Sequence, residues 1–177
     1  MEFNNNTILV TGGASGIGLA LTERFLMNDN EVIICDRQED KLHAAKERFP
    51  KLHIRHCDIG NEKERSDIME WVLKEFPDFN ILVNNAGIQL RISLKDKDLD
   101  WARVKQELTI NLEAPIHLTV LVIPHLSVKK NSAIINVSSG LAFLPPAIAL
   151  KFNCTPRGPV LLGSNLSAQF SLSGSTI

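Results

Sequence analysis

The chain of 177 residues contains no tyrosine at all, so no phenol can serve anywhere in it as a proton donor. Acidic residues are missing from one end, since all 20 lie at or before Glu113. Only 3 cysteines occur, Cys35, Cys57 and Cys154, and none forms a C-x-x-C pair. They read as reduced, mostly buried thiols of a cytoplasmic protein. The 5 histidines lack ligand spacing, and no metal site is expected. No apolar run is long enough to span a bilayer, so no membrane partner is expected. The most apolar stretch, IHLTVLVIPHL at 116–126, is short and holds His117 and His125 near its ends. The N-terminal MEFNNNTILVTGG has neither a basic n-region nor a long apolar h-region, so no signal peptide is expected. A net charge of −1 gives no reason to expect a polyanion such as nucleic acid as a partner.

What is present is a globular composition, 44% hydrophobic and 22% charged, in a length suited to one domain. Strand-like and helix-like segments alternate. NTILVTG, apolar and β-branched, and EVIICD read as buried strands, with KLHIRHCD, FNILVNNAG and SAIINVSS as the third, fourth and fifth strands. Between them, residues 15–27 place Ile17, Leu19, Leu21, Phe25 and Leu26 on a helical face. Residues 38–49 predict a charged helix. Residues 61–75 predict a helix with Ile68, Met69, Val72 and Leu73 inward. A long helix is predicted over 99–126, kinked where Pro115 removes a backbone bond. Strands apolar on both faces and separated by helices imply an α/β fold with a parallel sheet covered on both sides. Right-handed crossovers then favour a doubly wound sheet of order 3-2-1-4-5.

The first strand runs into TGGASGIG at 11–18, which contains Gly12-x-x-x-Gly16-x-Gly18. Glycines at a tight strand-to-helix turn let a pyrophosphate approach the backbone, and the helix N-terminus supplies N–H groups and a positive dipole end. Position after a strand and before a helix makes this pattern informative where the glycines alone would be weak. The second strand ends at Asp36, which can accept both ribose hydroxyls of an adenosine and would repel a 2′-phosphate. This favours NAD over NADP, although the adjacent Arg37 could offset the repulsion and keeps NADP open. A solvated turn is the alternative for Asp36–Arg37, and a simple turn is the alternative for NNAG at 84–87.

Taken together, TGGASGIG, Asp58 in HCDIG, NNAG at 84–87, Asn111 in INLEAP and the strand INVSSG resemble the short-chain dehydrogenase/reductase family over about residues 1–146. The five motifs stand in the family's order. The resemblance implies a Rossmann-like, NAD(P)-binding domain over 1–146 and leaves 147–177 as an atypical tail. It implies that Ser15 and Ile17 line the phosphates beside Gly12, Gly16 and Gly18. It implies that Asp58 bonds the adenine amino group with Ile59 beside the ring. Asn84 would brace the sheet, and Asn85, Ala86 and Gly87 would contact the two riboses. The expected ligand is a nicotinamide dinucleotide, and the expected reaction is hydride transfer to or from a small-molecule alcohol or carbonyl.

Ser139 matches the family serine that hydrogen-bonds the substrate oxygen, with Ser138 as its neighbour. Asn111 matches the family asparagine that holds a water relay. Local backbone bonding at a strand end is the alternative for Ser139, and a helix-bending polar residue is the alternative for Asn111. The family next places Tyr-x-x-x-Lys on one helix face. There the lysine lowers the phenol's pKa from about 10, so that it exchanges protons near neutral pH. The count from Ser139 lands instead on Phe152 and Pro156, and a proline would also break the required helix. Catalysis is therefore expected to be impaired, with a non-catalytic dinucleotide-binding or interaction module as the alternative.

The stretch 151–177, KFNCTPRGPVLLGSNLSAQFSLSGSTI, is rich in Ser, Gly and Pro, and its composition changes where the most constrained family motif should begin. This predicts a shifted reading frame or an alternative exon, in a chain incomplete relative to the family. The fifth strand would then be a hydrophobic sheet edge, and family-type dimerisation, which uses a later helix, is not expected.

Overall fold

A computed structural model describes residues 4–89 and 100–138. The elements alternate along the chain. Strand β1 (Thr7–Thr11) leads to helix α1 (Gly16–Met27), β2 (Glu31–Asp36), α2 (Glu39–Arg48) and β3 (His53–His56). Then come α3 (Glu62–Glu75), β4 (Phe79–Asn84), α4 (Trp101–Leu108), a π-helical turn (Thr109–Glu113), α5 (Ala114–Leu126) and β5 (Ala133–Asn136). The five strands form one sheet in the order β3-β2-β1-β4-β5, and every neighbouring pair is parallel. This is the order predicted from the alternation.

Period-two alternation in the central strands sorts side chains onto two faces. Leu9, Ile33 and Leu82 meet Ile68, Met69 and Val72 of α3 and Leu118, Val122 and Leu126 of α5. Ile8, Val10, Val32, Ile34, Ile81 and Val83 face the other way, against Leu42 and Ala45 of α2 and the half-buried Leu19, Leu21 and Phe25 of α1. Burial on both faces is why these strands read as continuous apolar runs rather than alternating ones.

Helix α1 departs from the predicted pattern at its start. Its fully buried positions are Gly18 and Thr22, while Ile17 is 66% exposed and lies off the core. The long helix also differs. It is continuous from Trp101 to Leu126 but widens into the π turn just ahead of Pro115. There the Ala114 N–H reaches back to the Thr109 carbonyl, one residue further than an α-helix would. The α-helical partner of the Asn111 carbonyl would be the N–H of residue 115, and proline has none. The sequence expectation of a lost bond was sound. The chain accommodates it with a wider turn.

The N-terminal ends of the strands are held by asparagines. Asn30 Oδ1 accepts from both the Asn6 backbone N–H and Asn6 Nδ2, each at 3.0 Å. Asn80 Oδ1 accepts from the Thr7 N–H at 3.0 Å, and Asn80 Nδ2 donates to Asn6 Oδ1 at 2.9 Å. Among the described residues β5 pairs with β4 alone, and Ile135 on it is 37% exposed.

Candidate functional site

The C-terminal ends of β1 to β4 open into a cavity of about 320 Å³. In an open parallel sheet this is where loops diverge and a crevice forms, next to the point where strand order reverses between β1 and β4. Gly12, Ser15, Ile17 and Gly18 line it from the first loop, Asp36 from the end of β2, Asp58 and Ile59 from the loop after β3, and Asn85, Ala86 and Gly87 from the loop after β4. Gly16 and Asn111 do not line it. Cys35, Arg37, Gln38, Cys57, Ile88 and Ile110 complete the wall. Ser139, Phe152, Cys154 and Pro156 lie outside the described residues.

The glycine loop is shaped by close approach. A Cβ on Gly18 would collide with the Gly12 carbonyl oxygen and stand 2.5 Å from Asn85 Nδ2. Gly16 is different, with a left-handed φ of +54° and open space where a Cβ would be. Gly16 therefore turns the chain, and Gly18 lets α1 begin against the strand ends. The Ser15 side chain makes no capping hydrogen bond to the helix. Its hydroxyl and the first N–H groups of α1 can thus serve an anion. Gly13, absent from the glycine pattern read in the sequence, is dictated by packing, because a Cβ there would overlap the Ile34 side chain.

Thr11 is a residue that sequence reasoning missed. Its Oγ1 accepts from the Asn85 N–H at 3.0 Å and the Ala86 N–H at 3.1 Å. Asn85 Nδ2 donates in return to the Thr11 carbonyl at 2.9 Å and the Gly12 carbonyl at 3.2 Å. The NNAG segment and the glycine loop are thereby locked together across the β1–β4 junction. A threonine ending a buried strand before a glycine loop was the only sequence signal for it.

The two acidic residues sit in matching turns. Asp36 is 9% exposed and its Oδ1 accepts from the Gln38 N–H at 3.1 Å. Asp58 Oδ1 accepts from the Gly60 N–H at 2.8 Å, and the Asp58 N–H donates to Glu64 Oε2 at 2.8 Å. In each case one carboxylate oxygen is held by the backbone N–H two residues further on. Cys35 and Cys57 precede them and are free, buried thiols, as expected. The Cys35 thiol is held well above its ordinary value of 9.0, first by its hydrogen bond with Cys57 and then by burial.

Asn111, in the π turn, spends both ends of its side chain on one peptide segment. Nδ2 donates to the Ile88 carbonyl at 2.7 Å, and Oδ1 accepts from the Ile88 N–H at 2.9 Å. It therefore shapes the wall after Gly87 rather than projecting into the cavity.

The short chain dehydrogenase family model matches residues 6–167. The chain belongs to the short-chain dehydrogenase family. Its relatives include the uncharacterized oxidoreductase DltE of Bacillus subtilis, 46% identical over 148 residues, with 84% of this chain and 59% of that protein covered. The short chain dehydrogenase/reductase dpfgG of Gibberella zeae is 34% identical over 148 residues, covering 80% of this chain and 54% of that protein. Among solved structures, a metagenomic short-chain oxidoreductase in complex with NADP superimposes with a TM-score of 0.72 at 25% identity, covering 78% of this chain and 64% of that one. This short-chain dehydrogenase chain thus spans under two thirds of the length of the relatives it matches. The family is one of oxidoreductases that bind nicotinamide dinucleotides, and the parallel doubly wound sheet is its Rossmann-like fold. Among the described residues no helix is long and apolar enough to cross a membrane, and no cluster of three or more His, Cys, Asp or Glu could hold a metal ion.

Proposed function

We propose that the cavity binds a nicotinamide dinucleotide, with NAD preferred over NADP. The observation that carries this reading is convergence: every cofactor candidate named from the sequence except Gly16 lines one cavity. Asp36 would take the adenosine ribose hydroxyls, and Asp58 with Ile59 the adenine. The N-terminus of α1 with Ser15 would take the pyrophosphate, and Asn85, Ala86 and Gly87 the riboses. Gly16 acts by turning the chain. Asp36 supports NAD because its carboxylate would face a 2′-phosphate. Arg37 lines the same wall, so the preference is one of degree.

When bound, the dinucleotide would supply hydride transfer to or from an alcohol or carbonyl carbon. Ser139 would steady the substrate oxygen, and Asn111 would hold the adjoining loop. The proton donor and ribose-binding lysine of the family fall on Phe152 and Pro156, so turnover is weak or absent. General acid–base catalysis alone is commonly worth about 10²–10⁴ in rate. The same two residues favour a second reading, a dinucleotide-binding module without turnover.

Titration of wild type and Asp36→Ala with NADH and NADPH, followed by an assay on generic alcohols and ketones, tests both readings. We expect weak to moderate NADH affinity and no measurable turnover. We also expect Asp36→Ala to weaken NADH by about tenfold or more, as for the loss of a charged hydrogen bond, with less effect on NADPH. Equal losses for the two dinucleotides would overturn the ribose assignment. Robust turnover that Ser139→Ala abolishes would overturn the module reading.

A further inference from the structure

Arg65 on α3 is 1% exposed, a position where an aliphatic side chain would avoid the desolvation of a charge. The guanidinium instead makes three hydrogen bonds, one to the loop after β3 and two to the continuous helix that runs through the π turn into α5. Nη1 donates to the Ile59 carbonyl at 2.6 Å, Nη2 to Glu113 Oε1 at 2.7 Å, and Nε to His117 Nδ1 at 3.0 Å. Ile59 belongs to the loop after β3 and lines the cavity at its Asp58 end. Glu113 closes the π turn, and its Oε2 accepts from Thr109 Oγ1, the first residue of that turn, at 3.4 Å. Glu113 is itself 58% exposed at its side chain, so solvent alone would leave it mobile. The turn it closes carries Ile110, which lines the cavity, and Asn111, which clamps Ile88. The loop and the turn also share one core, since Ile59 and Ile110 are buried in the same hydrophobic cluster.

We infer that Arg65 is a positioning residue for the dinucleotide site: by joining Ile59 to Glu113 it sets the π turn that aims Asn111 at Ile88, and so fixes one end of the cavity relative to the other. The inference rests on the dinucleotide reading for its affinity consequences. Its geometric part, from Arg65 through Glu113 and Asn111 to Ile88, stands without a ligand. Arginine suits the task because its planar fork reaches several acceptors at once. A lysine keeps the charge and loses the fork.

The test combines NADH titration of the full chain with hydrogen exchange at the Ile88 N–H, referred to the Leu9 N–H in the central strand. Arg65→Met and Arg65→Lys are expected to weaken NADH by about tenfold, a 1.4 kcal/mol effect, and to speed Ile88 exchange relative to Leu9. In the Arg65→Met, Asn111→Ala double variant the penalties should not multiply, and NADH affinity should stay within about twofold of Asn111→Ala alone. A purely structural role would give multiplying penalties and equal exchange changes at Leu9 and Ile88. If Arg65→Met does not fold, Glu113→Ala, at a half-exposed carboxylate, is expected to give the same Ile88 signature. Multiplying penalties, or unchanged Ile88 exchange in Glu113→Ala, would overturn the inference. Failure of the wild type to bind NADH would instead overturn the dinucleotide reading, and Ile88 exchange would still decide the role of Arg65.

Discussion

Asn111 grips Ile88 by both its N–H and its carbonyl, at 2.9 Å and 2.7 Å, much as a neighbouring strand would. Among the described residues the loop after β4 has no strand partner at that point, and a helix side chain takes its place. Asn111→Ala removes both bonds and leaves a half-buried peptide to find water. A net loss near 1 kcal/mol per hydrogen bond predicts destabilisation by about 2 kcal/mol. NADH affinity should fall with it. Urea denaturation beside NADH titration checks both, and an unchanged midpoint would show that the clamp is dispensable.

Two glycines of one loop should respond differently to alanine. At Gly18 a methyl group meets the Gly12 carbonyl, which cannot move without the strand. Overpacking of that kind costs about 1–3 kcal/mol and should abolish NADH binding. At Gly16 the methyl group meets nothing, and only the left-handed backbone is penalised, by about 1–2 kcal/mol. Gly16→Ala is therefore expected to retain measurable NADH binding. Equal losses in the two variants would contradict this division of labour.

Asn80 lies at the end of β4 remote from the cavity. Asn80→Ala strands the buried Thr7 N–H and removes the bond to Asn6 Oδ1, at a cost of about 1–3 kcal/mol. The expected outcome is a lower melting temperature with an unchanged NADH dissociation constant. A changed constant would mean that the asparagine cluster communicates along the sheet.

Cys35 introduces an alkaline sensitivity. In the unfolded chain this thiol ionises near its ordinary value of 9.0, whereas its hydrogen bond with Cys57 and its burial keep it protonated in the fold. Above that pH the unfolded state binds fewer protons than the folded one, so stability falls as pH rises. Below it the contribution is constant. Replacing Cys35 with alanine should flatten the decline above about pH 9. A pH scan of thermal melting on both forms measures this, and parallel alkaline slopes would remove Cys35 as a contributor.

Much of the architecture was legible in the chain itself. The central strands β1, β2 and β4 were visible because burial on both faces demands unbroken apolar runs. Their order followed from the handedness of the crossovers. The glycine loop and Asp36 could be assigned to one site because each stands at the end of a strand and parallel strands deliver their C-terminal ends to the same edge, while Asp58 and NNAG joined them through the family resemblance. Position relative to a strand is a local property, and local pattern carries it.

Contacts between segments far apart in sequence were decided only on folding. Arg65 looks like one more charge on a charged helix, yet the approach of α5 and of the Ile59 loop buries it. Ile17 fits a core face by periodicity alone, yet it is exposed and lines the cavity, the place the family resemblance implied. Gly13 is small because of Ile34, and Thr11 matters because Asn85 arrives beside it. Pro115 announced a missing donor and a kink, whereas the folded chain shows a continuous helix that widens into a π turn there. Sequence by itself determined the fold class and the edge of the sheet where the site lies. Tertiary structure decided which side chains hold that site in shape, because a hydrogen-bond partner or a steric limit exists only once distant segments have met.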